Sequence, residues 1–299
     1  MTTLRHIFIT LTAVVALAAM GQSVYVQSTV TLVDAGGYFP QLSPDGTKLV
    51  YAPTDAVNLK ILEMDSTGNR TTTIASKGYP GFDARFGPDG KVYYVTQERV
   101  RGNLIHRTGH CYDPATGQTT TVLPAQHGAV QAIPAGDGLV MLGERDRKVI
   151  GRVNKPFAYA RGPRLYVVMP DGRERMTSPA GECPMYLWPS VSPSGRKVVF
   201  EAVGKGLYVT DLSGKVLARL GKFLMPCWIN DDYLVAMRSS NNPDYRSYNI
   251  YLIKADGSSV RAITDGDRAI QPSVSGNKVV YTTNKGKIRV ITLNIPAQQ

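Results

Sequence analysis

Cysteine is scarce. Cys111, Cys183 and Cys227 are the only three in 299 residues, so at least one thiol stays unpaired and a disulfide-built scaffold is excluded. Helical periodicity of apolar residues is almost missing after residue 25, which leaves helical architectures without support. There is no G-x-S-x-G elbow, no G-x-x-x-x-G-K-[ST] phosphate loop and no dinucleotide fingerprint, so nothing in the chain argues for nucleophilic or nucleotide chemistry. A calcium loop needs several oxygen ligands at close alternating spacing, and no such run occurs. Histidine is sparse too: beyond the first residues there are only His106, His110 and His127. His106 and His110, with Cys111 adjacent, have a spacing that suggests metal. On a strand, however, residues four apart stand about 13 Å apart, too far for one ion. No metal site and no cofactor is expected.

Long apolar runs are limited to one, Ile7 to Met20, preceded by Arg5 and followed by small residues. This is the pattern of a secretory signal peptide cleaved near Gly21, and its length falls short of the ~20 residues that span a bilayer. The expectation is a signal over 1–21, then one domain over 22–299, periplasmic or secreted, with no membrane insertion after cleavage. No cysteine follows the apolar run, which argues against a lipoprotein signal. Acidic residues are also in deficit: 34 Lys and Arg against 23 Asp and Glu give a net charge of +11. Outside the cytoplasm such charge points to an envelope protein or an anionic glycan as partner, not to nucleic acid.

What the chain has in abundance is punctuation: 29 Gly and 19 Pro among Val, Thr, Tyr and Ile runs, the signature of short strands and tight turns. Tyr38 to Ala52 (YFPQLSPDGTKLVYA) reads as strand, turn, strand, with Pro44 presetting φ and Gly46 taking the positive φ of the reversal. The unit returns. Leu42 aligns with Phe86, Ile133, Val191, Trp228 and Val274, at steps of 44, 47, 58, 37 and 46 residues. In five of the six units the returning strand is followed by a third strand ending in a polar turn, as in 165–172 or 250–257, and then by a short fourth strand. Those periods fit four-stranded blades. The expected fold is an all-β, six-bladed β-propeller, monomeric, its last three-stranded unit completed by Val26 to Val33 so that the ring closes.

Ser43-Pro44-Asp45-Gly46 and Gly87-Pro88-Asp89-Gly90, with the looser Ser192-Pro193-Ser194-Gly195, lie behind a signal-like segment. In this the chain resembles the TolB family of periplasmic six-bladed propellers with WD-like repeats, over roughly residues 26–295. The resemblance implies a binding propeller in the envelope, here with no counterpart of that family's N-terminal α/β domain. The turn residues themselves read as structural.

In a propeller the first strand of each blade lines the channel, and its lead-in residues ring one mouth. Aromatics recur there: Tyr38 and Phe39, Tyr79 and Phe82, Tyr186 and Trp188, and Phe223 beside Met225. Asp83 lies among these lead-in residues, next to the polar lining positions Gln41, Arg85, Ser190 and Ser273. Aromatics beside polar groups suit a protein interface or a sugar platform, while any single ring taken alone fits packing between blades better. Trp228 reads as core. The long third step leaves an excess at 144–164, with Arg147, Lys148 and Arg152 among its cations; it reads either as a contact loop for an acidic partner or as an extended hairpin. A smaller basic feature starts at Arg238 and runs to Arg246. The functional expectation is a non-catalytic binding scaffold, with a polysaccharide lyase or glycosidase working in the channel as the alternative.

Overall fold

The computed structural model describes residues 24–54, 57–65, 68–239, 248–265 and 268–295. The signal segment and most of 238–246 lie outside them. Strand β1 (Tyr25–Val33) comes first, and the strands that follow form antiparallel sheets in chain order. Sheet 1 holds β2 (Gly37–Leu42), β3 (Lys48–Pro53), β4 (Leu59–Asp65) and β5 (Gly68–Ala75). Sheet 2 holds β6 (Arg85–Phe86), β7 (Val92–Arg99), β8 (Ile105–Asp113) and β9 (Gln118–His127). Sheet 3 has only β10 (Gln131–Pro134), β11 (Gly136–Leu142) and β12 (Arg147–Val153). Sheet 4 has only β13 (Phe157–Arg161), β14 (Arg164–Val168) and β15 (Glu174–Thr177).

Sheet 5 comprises β16 (Tyr186–Val191), β17 (Lys197–Ala202), β18 (Gly206–Asp211) and β19 (Val216–Gly221). Sheet 6 comprises β20 (Leu224–Trp228), β21 (Tyr233–Ser239), β22 (Tyr248–Lys254) and β23 (Val260–Ala262). Sheet 7 runs β24 (Ile270–Ser275), β25 (Lys278–Thr282) and β26 (Ile288–Asn294), and β1 is its fourth strand. The pairing extends from Tyr25 opposite Asn294 to Val33 opposite Ile288, which is the closure expected from Val26 to Val33.

The second strand of a sheet explains the stacking. In β17 the side chains alternate in direction, yet Val198 to Ala202 are all buried, because both faces meet a neighbouring sheet. Val198 and Phe200 pack with Leu165 and Val167 of sheet 4, while Val199 packs with Leu234 and Ala236 of sheet 6. Seven such cores follow one another. Val50 and Ile61 meet Val92 and Tyr94 between sheets 1 and 2, and Tyr93 meets Leu139 and Met141 between 2 and 3. Val140 meets Phe157 and Val168 between 3 and 4. Val235 and Ile250 meet Val279 and Tyr281 between 6 and 7, and Val280 and Ile288 meet Leu49 and Tyr51 between 7 and 1. The last core returns to the first sheet, so the sheets form a closed ring: a β-propeller.

Among the described residues the sheets number seven, where the six repeats give an expectation of six. The difference lies in 144–164, which is neither a loop nor an extended hairpin. Its strands β12 and β13 pair with β11 and β14 in two separate sheets, so the long third repeat divides into sheets 3 and 4. The polarity of β13 records the division. The Tyr186 amide at the start of β16 donates to Gly162 O just past the end of β13, and Lys155 ahead of β13 donates to Pro193 O beyond the end of β16. β13 therefore runs against its neighbour β16. Phe157 tests this arrangement: as a residue buried between sheets 3 and 4, Phe157→Ala should cost ~3–5 kcal/mol in urea unfolding, against ~0.5 or less for a loop residue.

Candidate channel-mouth site

The turns at the far end of the ring are held as their residue types require. Ser43 Oγ and the Thr47 amide both donate to Asp45, and these bonds hold its carboxyl down at about 2. Asp89 accepts from the Tyr93 hydroxyl and the Lys91 amide, so both aspartates are occupied in turn architecture.

At the opposite end, four of the innermost strands carry the same irregularity. Tyr38 pairs with Ala52 and Gln41 with Val50, leaving Phe39 and Pro40 opposite the single Tyr51. The same two-against-one bulge places Trp188-Pro189 opposite Phe200, Met225-Pro226 opposite Ala236, and Gln271-Pro272 opposite Tyr281. Proline has no N–H, so the rung skipped at the bulge orphans no donor at that residue. The residue before it adopts left-handed φ: 52° at Phe39, 49° at Trp188, 51° at Met225 and 55° at Gln271. Tyr79, before Pro80, has φ 52° as well; there the chain makes a short 3-10 turn, Pro80–Phe82, before β6. Left-handed backbone costs ~1–2 kcal/mol for a residue with a Cβ, so five strained positions gather at one mouth.

The exposed rings come from two kinds of backbone: Trp188 from its bulge, and Tyr79 and Phe82 from the short 3-10 turn before β6. Tyr79, Phe82 and Trp188 are 49%, 55% and 39% exposed. Phe39 is half-buried, its ring 4.9 Å from that of Phe82 across the boundary between sheets 1 and 2. Tyr38 and Met225 are half-buried. Tyr186 is 2% exposed, standing edge-on to Phe200 with its hydroxyl accepting from the Ala180 amide, so its ring is core rather than mouth surface. Phe223 is buried as well, and Arg238 lies 4.5 Å over both the Phe223 and Tyr251 rings. Arg147, Lys148 and Arg152 stand exposed on β12, the last strand of sheet 3.

Below the aromatic rim, polar groups tie each sheet to the next. Arg85 Nη1 donates to Gln41 Oε1 at 2.7 Å, with Arg85 Nε 3.7 Å from Asp83 Oδ1. Asp83 also accepts from the Ala132 amide; burial nevertheless pushes its carboxyl above the usual range, against the pull of Arg85. Arg161 donates to Gly143 O, and the Tyr186 amide to Gly162 O. The Trp228 indole, buried as its alignment with Leu42 implies, donates to Ser190 O at 3.0 Å. Cys227 Sγ donates to Pro272 O at 3.2 Å, and burial raises that thiol to about 11, which keeps its proton for the bond. Ser273, expected to line the channel, is buried and donates to Pro40 O. All three cysteines are free.

Gln271 was not among the expected site residues. Its Oε1 receives the Phe39 amide, and its own amide donates to Met237 Sδ, so it couples the bulges of sheets 7 and 1 to sheet 6. The signal was present in the sequence as a proline three residues ahead of the turn residue, at Pro40, Pro189 and Pro272.

No family model matches the sequence, and no curated protein matches it. Among solved structures the chain is similar to the WD40 β-propeller domain of Doa1, with a TM-score of 0.63 and 10% identity over 91% of this chain and 97% of that one. That likeness is one of fold.

The strain at the mouth has a measurable sign. In an ordinary strand glycine is less stable than alanine, but at φ 49° the order reverses. Trp188→Gly should therefore be more stable than Trp188→Ala by ~1 kcal/mol in urea unfolding.

Proposed function

We propose that this propeller is a secreted binding scaffold whose aromatic mouth docks a protein of the cell envelope. The observation that carries the reading is the exposed aromatic group at one mouth, Tyr79 and Trp188 on strained left-handed X-Pro positions with Phe82 beside them. Rings held on a rigid frame lose little entropy on binding, and aromatic anchors dominate interface energetics. The flanking Arg85, Asp83 and Gln41 supply a polar, pre-ordered floor. The SPDG-type turns and the resemblance to TolB propellers support a periplasmic setting, and the signal-like segment over 1–21 supports export.

The test is capture from an envelope extract on immobilised protein, comparing wild type with the combined Tyr79→Ala, Phe82→Ala and Trp188→Ala variant. Loss of each anchor is expected to weaken a specific partner by ~2 kcal/mol, so the combined variant should retain less than a tenth of it. Equal capture by a folded variant contradicts the mouth as the docking site. Capture of polysaccharide in place of protein contradicts the partner class.

A further inference from the structure

Sheets 3 and 4 end one strand early. In the other five sheets a fourth strand covers the third, whereas β12 and β15 are themselves the last strands of their sheets among the described residues. β12 is the longer, and among the described residues no strand pairs with its outer side, which therefore presents the N–H and C=O groups of an edge strand. Gly151, opposite Gly138, takes a left-handed φ of 69° within an unbroken register, and Arg147–Ile150 is the glycine-free run of the edge before it.

The side chains on this edge select what can pair with it. Arg145, in the turn before β12, and Arg147, Lys148 and Arg152 on it are exposed and form no ion pair among the described residues. Nearby cations are occupied: Arg161 lies by Glu144 and Arg173 pairs with Asp171. Between the cations Val149 is exposed, while Ile150 packs into the core between sheets 2 and 3. Alternation places Lys148 and Arg152 on one face of the edge and Arg147 on the other, so an added strand meets positive charge on both faces.

We propose that β12 takes up a short, extended, acidic segment of a partner protein as the fourth strand of sheet 3. Backbone bonds along Arg147–Ile150 fix the segment, carboxylates at alternate positions meet the free cations, and an apolar residue covers Val149. The proposal extends the scaffold reading to a second surface, distinct from the mouth, and stands or falls separately from it.

The probe is a fluorescein-labelled peptide of alternating glutamate and valine, read by anisotropy against the full protein. Saturable binding is expected, with equal affinity for wild type and for the Tyr79→Ala, Phe82→Ala, Trp188→Ala variant. Methylating alternate backbone nitrogens of the peptide, which leaves its charge unchanged, should weaken binding at least tenfold. Arg147→Glu with Lys148→Glu should do the same, and hydrogen exchange should slow at β12 amides in the complex. Undiminished binding of the N-methylated peptide would mean charge adhesion alone and overturns strand addition. No saturable binding, or protection elsewhere than β12, overturns it equally, and would mean that the cations serve only to keep this edge from pairing.

Discussion

Each sheet of this protein is buried on both faces, and only a closed ring can satisfy that. A second strand such as β17 or β25 presents apolar side chains in both directions, so no sheet is stable at the end of a row. The termini resolve the difficulty by sharing a sheet: β1 pairs with β26, and the core between sheets 7 and 1 joins the two ends of the chain. A second circle reinforces the first. From Arg85 on Gln41 round to Ser273 on Pro40 O, at least one hydrogen bond crosses each of the seven boundaries near the innermost strands. Several of these groups are buried, so breaking one leaves a costly unpaired partner.

Rigidity of the ring is what makes strain at its mouth affordable. The left-handed residues persist because packing on both faces and proline beyond them fix the bulge. The consequence is geometric. A bulge breaks the two-residue alternation of a strand, and Trp188 turns to solvent while Tyr186, two residues earlier, enters the core. The channel mouth is thus built from backbone as much as from side chains.

This also marks the limit of what could be read in the sequence. The SPDG-type turns, the β-meander and the completing N-terminal strand were legible, because each rests on local turn chemistry or on a repeat. The seventh sheet was not. β12 and β13 lie within one repeat, and only their failure to pair with each other separates them into two layers. Tyr186 and Trp188 looked equivalent because strict alternation puts both on one face, and the intervening bulge is a property of register. Ser273 looked like channel lining for the same reason, whereas it reaches a backbone carbonyl of the next sheet.

Closure is best tested where the two ends of the chain meet. Val30 and Val290 stand directly opposite in the register of β1 and β26, within disulfide reach of each other if both are cysteine. A protein carrying Val30→Cys and Val290→Cys should oxidise to an intramolecular crosslink in its native state, seen as one linked peptide pair in a digest. Because that bond closes a loop spanning most of the chain, it should stabilise the protein by on the order of 5 kcal/mol in urea unfolding. Failure to crosslink under native conditions, or a crosslink only between molecules, would contradict a ring completed by its own N-terminal strand.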